Sequence, residues 1–270
     1  MELLENHSNK TKERAHEIIN IYIRAAKELE FVKSIILVGS LSDDTYTGNA
    51  GSDIDLVHIV SDEEDYQHEK SKVFQLIEQM ESQTNHDIPI SKVVFQEKHL
   101  RHPYPYNFEL ISENMDLIER PIEVFRIIDS GISLFGDANI KDSIERPTRE
   151  DVLESLRLGK KLAELLREKD PEFYREYQKT RQCPSIRMMT QIVLTTALSD
   201  YYFYTNKSCS SKYAVLQRME EDWPNLTYIN LLRLCHKNRF APEQMTEADR
   251  LAMKEEYQSI FLNRPETWAY

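Results

Sequence analysis

Residues 37–60, LVGSLSDDTYTGNAGSDIDLVHIV, constrain this chain more than any other stretch. A β-rich run, Ser34–Val38, stops at Gly39-Ser40; a polar loop with Gly48 and Gly51 follows; Asp53–Val60 then resumes alternating, β-branched residues. The pattern predicts two buried strands joined by a loop. Side chains alternate along a strand, so Asp53 and Asp55 project to one face and Ile54 to the other. Two converging carboxylates suit Mg²⁺, which takes oxygen ligands and shares them with substrate phosphates. Gly39 lets the backbone come close to an anion, and Ser40 offers its amide and hydroxyl where the chain turns. Together these describe a phosphate cradle beside a metal site.

The carboxylate pair alone carries little weight. With 46 acidic residues in 270, a carboxylate two positions from another is expected about 8 times by chance. The frame raises it: two apolar strands, Gly-Ser at the end of the first, the carboxylates at the start of the second. Three of only six glycines, Gly39, Gly48 and Gly51, fall in this window, although a plain flexible hairpin would use them too.

Around this stretch, helical spacing covers Thr11–Leu29 and Asp65–Gln83, and Ile88–Phe95 reads as a strand that Pro89 confines to a start or edge. Leu117–Asp129 fits a helix or a strand, and Ile132–Phe135 is a short strand bracketed by Gly131 and Gly136. After Pro147 the texture becomes helical. Thr148 and Asp151 form a capping-box start for a helix to about Lys169, and further helices are expected over Ser185–Tyr204, Lys212–Glu221, Asn225–Lys237 and Thr246–Leu262. The fold class expected is therefore α+β, a mixed-sheet domain over residues 1–147, followed by an all-α domain over 148–270.

Charge narrows the partners. The formal net charge is −12, with 16 basic and 29 acidic side chains in residues 1–150 against 18 and 17 in 151–270. That balance argues against backbone-driven nucleic-acid binding and favours cationic partners. Cys183, Cys209 and Cys235 lie far apart with no CxxC spacing, and no apolar run reaches the length of a membrane helix. A cytoplasmic protein with ordinary thiols and no membrane partner is expected; the oligomeric state is left open.

Gly39-Ser40, twelve residues, then Asp53-Ile54-Asp55 resembles the signature of the nucleotidyltransferase superfamily that includes DNA polymerase beta. The resemblance extends to the streptomycin and spectinomycin adenylyltransferases. HPYPYNFEL (102–110) is similar to their aromatic and proline segment, GISLFG (131–136) to their Gly-x-x-Leu-aromatic-Gly strand, and YTNKSCSSK (204–212) to a segment of their helical domain. Only the first motif is specific by itself.

The resemblance implies an Mg²⁺-dependent enzyme of antibiotic-resistance type. Two Mg²⁺ held by Asp53 and Asp55 would bind ATP, and an acceptor hydroxyl would attack the α-phosphate and release pyrophosphate. Ser40 and Gly39 would hold the triphosphate, joined by Lys212, with Lys207 nearby. Glu109 and Asp200 would meet a small hydroxylated, cationic acceptor such as an aminoglycoside, in a cleft closed by the helical domain. Family members place a third carboxylate, the general base, on the next strand. Here that strand carries Ser91 and Lys92, and the nearest acid is Asp87. For Asp87, Glu109, Asp200 and Lys212 the alternative is an ordinary structural or solvated residue. A lincosamide, another hydroxylated compound or a protein hydroxyl also fits as acceptor, and a non-catalytic nucleotide-binding module of the same fold is the alternative to an enzyme.

Overall fold

The computed structural model describes residues 2–48, 52–62, 65–85, 87–101, 120–154, 172, 175, 182 and 184–263. Contacts divide the chain into two compact units, Met1–Pro105 with Glu123–Arg146, and Tyr106–Ile122 with Pro147–Tyr270. Among the described residues no helix is long and apolar enough to cross a membrane.

The first unit is built on a four-stranded sheet. Helix α1 (Glu2–Ala26) leads into β1 (Val32–Val38); a short 3₁₀ turn, Gly39–Leu41, ends that strand, and β2 (Asp55–Val60) returns beside it. Helix α2 (Tyr66–Gln83) crosses to β3 (Val93–Gln96), and α3 (Arg120–Ser130) leads into β4 (Ile132–Gly136). The strand order is β3-β2-β1-β4. β1 is antiparallel to both β2 and β4, while β2 and β3 run parallel, as a crossover through a helix requires. From Arg120 onward the ambiguous segment before β4 is thus a helix. Its apolar residues Val124, Phe125 and Ile127 are buried.

Alternation sorts the sheet into two faces. Ile35, Leu37, Ile54, Leu56 and Val60 share a core with Ala15, Ile18, Ile19, Tyr22 and Ala26 of α1 and Val73, Ile77 and Met80 of α2. The opposite face carries Ile36, Val57 and Ile59, all fully buried, and the cross-strand pair Val38 and Asp55. Asp65 caps α2 by accepting from the Gln67 amide at 3.0 Å, which fixes the helix start where the polar turn ends.

β3 is shorter than its sequence suggests. Ile90 pairs with Ile54 as an isolated bridge, and the ladder resumes only at Val93. Pro89 supplies no amide, and its carbonyl accepts from the Ile54 N–H at 2.8 Å. The gap is spliced by Ser91, whose Oγ accepts from the Leu56 amide at 2.9 Å and donates to the Leu56 carbonyl at 3.3 Å. The position that would carry a strand carboxylate is thus tied to backbone.

One buried polar chain links helix to sheet. The His58 Nδ1–H donates to the Val93 carbonyl at 2.9 Å, so the neutral ring accepts the Tyr22 hydroxyl at Nε2, 2.7 Å away. Complete burial lowers the His58 pKa to about 4. The unfolded chain, with His near 6.5, therefore takes up the proton first. The stabilisation is complete above pH 6.5 and falls as the pH drops toward 4, by on the order of 3 kcal/mol. Urea midpoints measured across this window should show that slope in the native chain and lose most of it in His58→Gln.

In the second unit, Thr148 opens a helix at residue 149 through a reciprocal capping pair. The Thr148 amide donates to Asp151 Oδ2 at 2.6 Å and the Asp151 amide to Thr148 Oγ1 at 3.3 Å. The expected continuation of this helix to Lys169 lies outside the described residues beyond 154. Helices α4 (Ile186–Thr205), α5 (Val215–Asp222), α6 (Ile229–Phe240) and α7 (Glu247–Glu256) follow, with a π-helical turn at Tyr257–Phe261. Met189, Val193, Ala197, Tyr201, Met219, Leu231, Leu232 and Met253 build its core. The architecture is a mixed-sheet α+β domain followed by helices, as the texture of the sequence implied.

Candidate active site

The charged site lies where β1 and β2 meet at Val38 and Asp55. Gly39 has a φ of +74°, a left-handed conformation that glycine adopts without strain. The turn it opens is closed by its own carbonyl, which accepts from the Ser42 and Asp43 amides at 3.0 Å and from Ser42 Oγ at 2.8 Å. The Ser40 carbonyl accepts from the Thr45 amide at 2.9 Å. Both carbonyls are thus committed to the loop.

Asp53 and Asp55 flank Ile54, which is fully buried, while both aspartates are half-buried. Ile54 and Leu56 belong to the core of the first unit and Asp55 alternates with them on the opposite face, while Asp53 precedes β2. Tyr46, in the intervening loop, packs into the core of the first unit. Burial, and then the charge of Asp53, push its phenol up. Asp55 has a partner that the sequence did not suggest. Arg126 Nη2, from α3, donates to Asp55 Oδ2 at 2.8 Å, with side-chain exposures of 14% and 20%.

This pair also gives Gly39 a further reason to lack a side chain. A Cβ at Gly39 would lie 2.1 Å from Asp55 Oδ2 and 2.6 Å from Arg126 Nη2. The group already close to this backbone is the carboxylate and guanidinium pair. Arg126 could have been sought as the one cation inside the apolar run Ile122–Ile128, but its target, 71 positions away, is not readable from spacing.

Other expected residues fall elsewhere. Asp87 lies in the turn after α2, where its carboxylate, 44% exposed, pairs with Arg14 of α1 at 3.2 Å. Its side chain is engaged there, not with Asp53 or Asp55. Lys212 and Asp200 belong to the second unit. Lys212 is half-buried between α4 and α5, and Lys207 in the same segment pairs with Asp222 at 2.9 Å. Asp200 is 1% exposed and accepts the Tyr228 hydroxyl at 2.5 Å. The structure therefore gives it a partner inside the helical core, because its position on α4 turns it inward with Ala197 and Tyr201. Glu109, the 102–110 segment that contains it, and Gly51 lie outside the described residues.

The donor set fits a divalent cation of the magnesium type. Asp53 and Asp55 are half-buried carboxylates, Asp55 next to the Gly39 turn, and such cations complete their shell with water and substrate phosphate instead of a full protein cage. Among the described residues no group of three or more His, Cys, Asp or Glu side chains gathers into a metal cage.

Residues 19–123 match the family model of the nucleotidyltransferase domain. The chain carries a nucleotidyltransferase domain. Its chemistry is of the nucleotidyl-transfer class. No curated protein sequence matches the chain. Among solved structures, it is similar to the spectinomycin adenyltransferase AAD(9) from Enterococcus faecialis, crystallised with ATP and spectinomycin. That match covers 90% of this chain and 97% of the other, at 14% identity and a TM-score of 0.55. At this identity the likeness is one of fold. The matched domain contains Gly39, Ser40, Asp53 and Asp55, and its last residues reach α3.

Proposed function

We infer that this chain transfers AMP from ATP to a hydroxyl of a small acceptor and releases pyrophosphate. The observation that supports this reading is the cross-strand pairing of Asp55 with Val38, which brings the Asp53-Ile54-Asp55 segment next to the Gly39-Ser40 turn. Asp53 and Asp55 would hold Mg²⁺, which supplies charge neutralisation at the reacting phosphate when bound. Ser40 would offer its hydroxyl and amide to the β- and γ-phosphates, and Gly39 leaves room for the Asp55–Arg126 pair beside that turn. A base at Asp87 would first have to give up Arg14.

A cationic, hydroxylated acceptor of the aminoglycoside type is supported by the acidic first 150 residues, whose field would concentrate such a molecule, and by the fold shared with AAD(9). The second reading, a nucleotide-binding module without turnover, is favoured by Ser91 being bound to Leu56 where a base would stand. Pyrophosphate release from ATP and Mg²⁺, measured across aminoglycosides, spectinomycin and lincosamides, separates the two. Release with one acceptor supports the transferase; ATP binding with no release across the panel supports the module.

A further inference from the structure

The Asp55 carboxylate faces a conflict that its expected role does not resolve. As a cation ligand it must accept a divalent ion, yet its Oδ2 already accepts from Arg126 at 2.8 Å in a site where both side chains are mostly shielded from water. A guanidinium and a divalent cation on one carboxylate repel, and in partly buried surroundings a unit charge a few ångströms away weakens cation binding by at least about tenfold. The space left by Gly39 sets the alternative destination. Arg126 Nη2 lies 2.6 Å from where a Gly39 Cβ would sit, hence beside the backbone turn that presents Ser40. A guanidinium there is within a rotamer change of any phosphate bound at that turn, and phosphate offers it the same forked geometry as carboxylate.

We propose that Arg126 is a positioning residue that neutralises Asp55 in the nucleotide-free protein and passes to the triphosphate when nucleotide binds, releasing Asp55 Oδ2 to the cation. The proposal rests on the reading of Asp53 and Asp55 as cation ligands. Cation and nucleotide then bind together, because the phosphates both bring oxygen ligands and remove the competing charge.

The test is Mn²⁺ affinity of the full-length chain, by electron paramagnetic resonance, with and without α,β-methylene-ATP. Without nucleotide, Arg126→Gln should bind Mn²⁺ at least about tenfold more tightly than the native chain. With Mn²⁺ present it should bind the analogue at least about tenfold more weakly. Arg126→Lys keeps the charge without the fork, so it should retain weak nucleotide-free Mn²⁺ binding and lose affinity for the analogue; it serves also if the Gln variant fails to fold. A static ion pair would lower the unfolding midpoint of Arg126→Gln and leave both affinities within twofold of native, which overturns the proposal. Asp55→Asn separates the two levels. If it loses Mn²⁺ while Arg126→Gln behaves as native, the exchange fails alone. If neither the native chain nor Asp55→Asn distinguishes Mn²⁺, the ligand reading fails and the exchange falls with it.

Discussion

Asp53→Asn should lose Mg²⁺-dependent pyrophosphate release by at least about a thousandfold while unfolding in urea within about 1 kcal/mol of the native chain. Asparagine preserves the size and one acceptor oxygen of the side chain, removes its charge and turns the other oxygen into an NH₂ donor. The expected cost is small because Asp53 sits half-buried ahead of β2 and Ile54 is the fully buried residue beside it. Asp55→Asn should lose as much turnover and about 1–2 kcal/mol of stability besides, because it also discharges the partner of a mostly shielded Arg126. Stability and turnover measured on the same preparations check this. Turnover within tenfold of native in either variant would mean that the carboxylates do not hold the cation.

Gly39→Ala should be worse for the molecule as a whole. A φ of +74° costs an alanine about 1 kcal/mol, and the new methyl must displace a charged pair whose nearest oxygen is 2.1 Å away. Backbone movement at the end of β1, or rupture of the Asp55–Arg126 contact, is the only relief. The expected loss is about 2–4 kcal/mol in stability and at least about a hundredfold in turnover, read by urea unfolding and pyrophosphate release. Native stability together with native turnover would show that the turn yields easily and is no cradle.

What the sequence disclosed and what it withheld follow from the range of the interactions involved. The strand-turn-strand frame was legible because β-branched alternation and a Gly-Ser break act over a few residues. The Thr148–Asp151 cap was legible for the same reason. β3 began later than expected because Pro89 and Ser91 interrupt the ladder, and hydrophobic content alone does not report which amides find partners. The inward turn of Asp200 depended on Tyr228, 28 positions on, and the pairing of Asp87 depended on Arg14 in the first helix. Arg126 was invisible for the same reason. An aromatic and apolar helix reads as core, and nothing in its own neighbourhood announces that the arginine in its middle answers a carboxylate on β2.

The 71-residue span between Asp55 and Arg126 has a consequence for how the protein forms. Gly39 and Asp55 are near neighbours in the chain and come together when one hairpin closes, an early event for a low-separation contact. Arg126 joins Asp55 across 71 positions, a contact of high sequence separation that is slow to close. During folding the carboxylate therefore stands uncompensated in an already acidic half of the chain, and its neutralisation is among the later contacts the domain makes. Kinetically, Arg126→Gln should speed unfolding and leave refolding nearly unchanged, whereas Leu56→Ala in the hairpin should slow refolding, as stopped-flow measurements on the two variants would reveal.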